Sequence, residues 1–572
     1  MQKKWLTADS APAEFYRQFP EINPVILQLL YNREIRTQSA IDEFLTPEYS
    51  NNIHDPFLFR DMRVAVKRIF QSIKNKEKIV VYGDYDADGV SSSIVMVETL
   101  QALGATVRVY LPDRVKEGYG LNISAIKSFA KWGAKLIITV DCGISNKTEI
   151  AEAYKLGMEV IVTDHHCEPL ELPDALALIN PQLSSETYPY KHLAGVGVAY
   201  KLAQALLISQ VEELGEEIVS FGWEKWLLDL VAIGTVSDMM PLLGENRTLV
   251  KYGLIVLNKT RRPGLKALLR EAGIDGKELD SCSVGFQIGP RINAAGRLQH
   301  ARVSFDLLST DQENTAEEMA TDLGNINKER QRVIEKIIRE VNQTLTAENA
   351  SNLIFINGKD WPVGVVGLAA GRLMDKWYRP AIVMTNNDGQ LVASGRSIAE
   401  FSFTETLQEL ERFLSHYGGH AKACGFTLKS PDILEEFKAE FARIVDEKIG
   451  QMELIPKLTI EKEIKLEHID WDLFENLAKF EPFGQGNEQP RFLLRALQVV
   501  GLQKVGKSGS HLRIMVNNQN SEIKTLIGFG LGEDWGDLLK VGDMIDAVLE
   551  ISVNQWNGTR ELQRRVVDLR II

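Results

Sequence analysis

Three aspartates, Asp84, Asp86 and Asp88, alternate in VVYGDYDADG, directly after an apolar run. Carboxylates this close repel one another, and gathering them costs stability unless a cation neutralises the charge. Two more apolar runs end in residues of ligand type: LIITVDCG ends at Asp141, and VIVTDHH ends at Asp164, His165 and His166. A further acid, Asp238, stands in the apolar segment LVAIGTVSDMMPL, where a lone carboxylate is expensive to bury. The set holds more oxygen than nitrogen donors, which suits Mg²⁺ or Mn²⁺, and the imidazole tilts the choice toward Mn²⁺. The acids exceed the needs of one ion, so two neighbouring ions are expected. Such a pair can hold both the attacking and the leaving oxygen of a phosphoryl displacement. A single acidic turn or a surface His pair would be unremarkable; their recurrence at the ends of apolar runs is what argues for a metal site.

The elements that must position these residues are legible from Lys78 onward. Short β-branched runs (KIVVYG, TVRVYLP, AKLIITVD, MEVIVTDHH) alternate with amphipathic, helix-length segments, which predicts a doubly wound parallel sheet with its chemistry at the carboxyl ends of the strands. A catalytic α/β domain over 56–310 follows a polar, helical arm over 1–55, which is expected to pack on what comes after it. TAEEMATDLGNINKERQRVIEKIIREVNQTL predicts a long connecting helix over 311–347, broken near Gly324-Asn325. A second α/β domain over 348–452 reads as a strand NLIFING, a helix VGLAAGRLMDKW, strands PAIVMTN and QLVASGRS, and a helix TETLQELERFLSHYG closing on a Gly-Gly turn. From 453 to 572 alternating strands predict an all-β barrel, with Asn557-Gly558 as a hairpin turn.

With 572 residues, 44% hydrophobic and 25% charged, the chain is neither disordered nor fibrous and holds several domains. No signal-peptide core or membrane-length apolar run is present, and the four scattered cysteines read as reduced thiols, so a cytoplasmic protein without membrane association is expected. A net charge of -13 argues against nucleic acid at first sight. Its distribution weakens that objection. Residues 501–572 carry nine Lys and Arg against nine Asp and Glu, and residues 261–300 carry seven against four. Part of the acid excess lies in the metal cluster, where bound cations would offset it.

GDYDADG, VDCG, VTDHH and GTVSDMMPL, in this order, resemble the four successive motifs of the DHH phosphoesterase superfamily. LPDRVKEGYGLN, LAGVGVAY, GPRINAAGRL, SGRS, HYGGHAKACGF and EPFGQGNEQPRF resemble segments of its RecJ family of bacterial single-strand DNA exonucleases, over nearly the whole chain. The resemblance implies a DHH domain, a DHH-associated domain and a C-terminal OB fold. It also implies a two-metal exonuclease that digests single-stranded DNA from the 5′ end to mononucleotides in repair and recombination. On that basis Asp84, Asp86, Asp88, Asp141, His165 and Asp238 would hold Mn²⁺ or Mg²⁺, while Asp164 and His166 would orient ligands or touch the scissile phosphate. A helicase and a single-strand-binding protein would be partners. Cys424 departs from the family, whose members usually carry a small residue there.

Other residues suit substrate contact. Arg114 follows a strand of the catalytic sheet; Arg291 and Arg297 flank NAAG beside Asn293; Arg396 lies next to Ser394 and Ser397. Guanidinium forks match terminal phosphate oxygens. Gly418 and Gly419 would let a nucleotide approach the backbone, with His420 as donor. On the barrel, Lys504, Lys507, His511, Arg513, Phe529 and Trp556 are candidates for a stacking groove, and DNA affinity should fall with salt. Two rivals remain at this point. One is a phosphodiesterase or pyrophosphatase of the same superfamily acting on short oligonucleotides or small phosphates. The other is an inactive scaffold, which the intact set of acids and histidines disfavours.

Overall fold

The computed structural model describes residues 3–345, 351–518, 522–556 and 559–572. The chain divides into two compact units, one of residues 53–240 and 245–454, the other of 1–52, 241–244 and 455–572.

The larger unit begins with a five-stranded, all-parallel sheet of β1 (Lys78–Tyr82), β2 (Thr106–Tyr110), β3 (Ala134–Val140), β4 (Glu159–Thr163) and β5 (Ala177–Ile179), in the order β2-β1-β3-β4-β5. These runs have almost no polar residues in β1, β3 and β4 because helices cover both faces. The chain steps from β1 to β2 on one side, then returns to place β3 on the other. The crevice of such a sheet therefore opens where β1 and β3 end side by side.

The helices that face this crevice are α1 (Ala87–Ala102), α2 (Gly195–Leu214), α3 (Leu228–Ser237) and α4 (Gly289–Leu298). A π-turn over Val284–Ile288 runs straight into α4. The connecting helix α5 (Glu313–Thr344) is continuous over 32 residues, so the expected break at Gly324-Asn325 is absent. Gly324 serves packing instead: a Cβ there would lie 2.2 Å from the Glu271 carboxyl group, so the bare backbone lets α5 lie against the preceding helix (Pro263–Glu271).

The second α/β portion forms a mixed sheet of β6 (Ile354–Gly358), β7 (Ala381–Asn387), β8 (Gln390–Arg396), β9 (Leu414–His420) and β10 (Ala423–Leu428), ordered β9-β10-β8-β7-β6, with α6 (Val363–Trp377) packed on it. Here the expected helix TETLQELERFLSHYG is corrected. Its helix stops at Glu409, and Leu414–His420 is the edge strand, paired antiparallel with β10. Phe413 and Leu414 are drawn into the core with Phe426, Leu428 and Phe437, and the two glycines that follow cannot sustain a helix. The Gly-Gly turn expected at Gly418-Gly419 is accordingly part of a strand.

The smaller unit is a barrel of β11 (Phe492–Val505), β12 (His511–Asn517), β13 (Lys524–Gly528), β14 (Met544–Trp556) and β15 (Thr559–Ile571). The long β11 closes it, pairing with β14 through its first half and with β12 through its second. Its register shifts near Ala496, whose φ is +51°, and again between Val499 and Gly501. Those bulges bend the strand round the corner. The strands flanking 557–558 pair antiparallel up to Trp556 and Thr559, while the Asn557-Gly558 turn itself lies outside the described residues.

Within the smaller unit the leading arm packs on the last part of the chain. Lys4–Thr7 is a strand, pairing parallel with Lys457–Ile460, and Phe15, Phe19, Ile26, Leu27 and Phe44 share one core with Leu473, Phe480 and the barrel interior. The apolar faces of the arm helices are thus completed by the last part of the chain.

Candidate metal and phosphate site

Each strand of the crevice delivers its ligand-type residue at the turn just past its end. Gly83 N–H donates to Tyr110, Asp141 N–H to Thr163 and Asp164 N–H to Ile179 through their carbonyls, so the ladder continues one residue into the turns and fixes where the side chains emerge. Asp86 caps α1, accepting from the amides of Asp88 and Gly89. Asp88 is gripped from across the crevice by the first amides of α2, Gly195 N–H to Oδ2 at 2.8 Å and Val196 N–H to Oδ1 at 2.9 Å. Asp238 is the C-terminal cap of α3. Asp141 and Met239, the residue after Asp238, have φ of +61° and +58°. Such conformations cost energy in non-glycine residues and persist where the surroundings impose them.

Ligand atoms of Asp84, Asp86 and Asp141 lie within 4.8 Å of one another, as do those of Asp88, His165 and Asp238, and those of Asp141, His165 and His166. His165 Nε2 is 3.1 Å from Asp141 Oδ1, 3.6 Å from Asp238 Oδ2 and 3.8 Å from Asp88 Oδ2. The groups meet at Asp141, which belongs to the first and the third. Asp84, Asp88 and Asp141 are buried, and Asp84 Oδ1 and Asp141 Oδ1 have no hydrogen-bond donor among the described residues. Burial first, then the neighbouring carboxylates, pushes Asp84 and Asp141 far above the usual carboxylate range, Asp88 up to about 7 and Asp238 to about 9. Orphaned, mutually repelling carboxylates around an imidazole nitrogen fit divalent cations, with Asp141 between two positions.

The two histidines are held in opposite states. Burial, and then the charge of His166, lowers His165 to about 4, which keeps it neutral, as a metal ligand must be. Burial disfavours charge on His166, but its hydrogen bond to Asp164, together with the negative charges of Asp164, Asp238 and Asp84, outweighs this and raises it to about 9. Asp164 is saturated: Oδ1 accepts from His165 N–H, His166 N–H and His166 Nδ1 at 2.7 Å, and Oδ2 from Ile144 N–H. It orients the histidines and stands outside the three clusters.

His166 gives a pH prediction. Its folded-state pKa lies above the ordinary 6.5, so its contribution to stability is complete below about pH 6.5 and fades as pH rises through about 9. In chelator-treated protein, the Tm difference between the parent and His166→Gln should be largest near pH 6 and vanish by about pH 10. A constant difference would show that the charged pair with Asp164 does not form.

Two supporting residues went unnoticed in the sequence. Tyr119, inside LPDRVKEGYGLN, places its hydroxyl 2.9 Å from His166 Nδ1 and 3.3 Å from the Asp141 carbonyl. Asn180 donates to the His166 carbonyl from the turn after β5. Asn180 carried the signal that exposed Asp141, a polar residue ending an apolar strand; Tyr119 carried none beyond its motif.

Beside the acids lies the opposite charge. Arg114 stacks on Tyr85, its guanidinium 4.6 Å from the ring centroid. Arg297 is partly buried, with Nη1 on the Gly364 carbonyl and Nε without an acceptor among the described residues; desolvation and the charges of Arg114, Arg330 and Arg396 lower it to about 9. Arg396 donates to Ser394 Oγ and to the Gly395 carbonyl, and burial lowers it too. None of Arg114, Arg297 and Arg396 has a carboxylate ion-pair partner among the described residues. Partly buried cations without a direct ion-pair partner make an anion site. Arg330, on α5, is a further member that sequence reading missed.

Other expected contacts are engaged elsewhere. Arg291 is paired with Glu271 at 2.8 Å, and Asn293 Oδ1 accepts from Ala87 N–H, bracing the turn that carries the aspartates. Gly418, Gly419 and His420 are exposed on the edge strand β9, and open space surrounds the Gly418 Cα. On the barrel, Phe529 is half-exposed against the His511 ring, Arg513 is exposed, Lys504 pairs with Asp537, and Lys507 opens the turn before β12. The Trp556 side chain lies outside the described residues.

Family models match in three places: the DHH family N-terminal domain over residues 78–235, the DHHA1 domain over 335–447 and the RecJ OB domain over 460–568. The single-stranded-DNA-specific exonuclease RecJ of Bacillus subtilis is 38% identical over 96% of this chain and 68% of that protein. The protein of the same name from Dickeya dadantii is 33% identical over 96% of each. Among solved structures, RecJ of Thermus thermophilus in complex with Mn²⁺ superposes with a TM-score of 0.83 at 28% identity, covering 99% of this chain and 79% of that one. A Mg²⁺ complex of the same protein matches with a TM-score of 0.77. With the acidic crevice, the arginine cradle and the OB barrel in one chain, matched at this identity and coverage, the protein belongs to the RecJ family of the DHH superfamily.

Proposed function

We propose that the chain is a divalent-cation-dependent 5′-to-3′ exonuclease that hydrolyses single-stranded DNA to 5′-mononucleotides. The observation that carries this reading is the adjacency of an acidic crevice and an arginine cradle bare of counter-charge, in a chain whose relatives are named as single-stranded-DNA-specific exonucleases. Asp84, Asp86, Asp88, Asp141, His165 and Asp238 hold two ions, Mn²⁺ by preference or Mg²⁺. Bound there, the ions supply Lewis-acid activation of water and of the scissile phosphate. Asp164 and Tyr119 hold the His166 ring, which faces the substrate as a cation through Nε2. Arg114, Arg297 and Arg396 take the 5′-terminal phosphate, with Ser394 orienting Arg396. The terminal nucleotide lies along β9, where Gly418, Gly419 and His420 leave its backbone accessible. The channel between the two α/β portions is narrow enough to admit one strand and exclude a duplex, and the barrel binds the trailing strand through His511, Arg513 and Phe529. The protein works in the cytoplasm in DNA repair and recombination, on strands exposed by a helicase and covered by a single-strand-binding protein.

Product analysis on strands labelled at either end, with Mn²⁺ and with Mg²⁺, tests this. A 5′ label should leave at once as a mononucleotide, while a 3′ label stays on progressively shortened strands. Faster turnover of pyrophosphate or dinucleotides than of a long 5′-phosphorylated strand would overturn the proposal.

A further inference from the structure

Arg262 lies outside every motif described above, yet it is paired with two carboxylates of the larger unit, Glu98 and Asp229. Its Nη1 and Nη2 fork onto the two carboxylate oxygens of Glu98, the second at 2.9 Å, while Nε lies 3.3 Å from both oxygens of Asp229. Asp229, buried, also accepts from Thr260 Oγ1 and Leu230 N–H. Glu98 is on α1, ten residues beyond Asp88; Asp229 is on α3, nine residues before Asp238. At 1.5 Å per residue each lies about 14–15 Å along its helix from the acid it shares that helix with. The two helices touch at their other ends: a Cβ on Gly234 of α3 would fall 2.6 Å from Asp88 Oδ1.

The geometry points to Arg262 as a positioning residue that sets the spacing of Asp88 and Asp238 from the far ends of α1 and α3. At the near ends Asp88 Oδ2 and Asp238 Oδ2 both stand by His165 Nε2, at 3.8 and 3.6 Å, where like charges oppose close approach unless a cation lies between them. At the far ends the bidentate fork draws the same helices together. Rigid helices carry that constraint to the crevice, so the free protein holds the two acids at ligand spacing before an ion arrives. Groups behind the ligands commonly govern metal affinity in this way, by about 10- to 100-fold.

The inference rests on the cation reading of the crevice, and Mn²⁺ binding to the full chain, followed by calorimetry and by the electron paramagnetic resonance of free Mn²⁺, tests it without recourse to nuclease activity. Three variants serve: Glu98→Gln, which loosens the fork and leaves Asp229 paired; Arg262→Lys; and the double Arg262→Met with Asp229→Asn, which removes the brace without stranding a buried charge. Mn²⁺ dissociation constants should rise in that order, reaching about tenfold in the double variant. The Mn²⁺ concentration giving half-maximal turnover should move with them, while kcat at saturating Mn²⁺ stays within about threefold of the parent. A drop in Tm with an unchanged Mn²⁺ dissociation constant would overturn the positioning role and leave a purely structural one. A parent chain that binds no Mn²⁺ would instead overturn the cation reading itself.

Discussion

Asp141→Asn should abolish turnover of single strands, by roughly 10³-fold or more, and at the same time raise the Tm of the metal-free protein. The two effects have one cause. Asp141 is buried, its Oδ1 has no donor among the described residues, and Asp88, Asp86, Asp84 and Asp238 all act to raise its pKa. Without cations this carboxylate adds only repulsion and desolvation, so an amide of the same shape relieves the folded state. With cations it belongs, like His165, to two of the three clusters, and its loss disables both. Calorimetric scans with chelator and with Mn²⁺ give the check. The parent should gain several degrees from Mn²⁺ and the variant almost none, although the variant starts higher. A variant that is less stable than the parent under chelation, or that keeps Mn²⁺-dependent nuclease activity, contradicts the assignment.

The second large effect concerns Arg297. Replacing it with Met should lower kcat/KM on 5′-phosphorylated strands by roughly 10- to 100-fold, the worth of one charge-assisted hydrogen-bonding group. Strands with a 5′-hydroxyl should lose far less, so the variant discriminates poorly between the two ends. Arg297 is partly buried beside the charges of Arg114, Arg330 and Arg396, with its Nε unsatisfied among the described residues, so the free protein should again tolerate the change or gain from it. Kinetics on paired substrates differing only at the 5′ end measure this. Equal losses on both would place Arg297 outside the recognition of the terminal phosphate.

The parallel sheet and its ligand-bearing turns were legible because two signals coincide there: continuous β-branched runs and a charged residue at the end of each. The barrel strands were legible for a similar reason, their alternation being local. What failed was decided by contacts distant in sequence. LERFLSHYG has helical spacing, but Phe413 and Leu414 are claimed by a core built from Phe426 and Phe437, and the segment becomes an edge strand. Gly324 looks like a helix breaker until Glu271 is placed against it. Arg291 and Asn293, whose motif implies substrate contact, also have partners that the sequence did not show, Glu271 and the Ala87 amide. Tyr119, Asn180 and Arg262 act through partners that only the folded chain assembles.

The core that residues 15–44 share with Leu473, Phe480 and the barrel has a temporal meaning. During synthesis the arm leaves the ribosome well before the segments that cover its apolar faces, which follow more than 400 residues later. At about 5–20 residues per second that is a delay of roughly 20–80 s, during which the larger unit is made in full. Through that interval Phe15, Phe19 and Ile26 lack the C-terminal partners that complete their core.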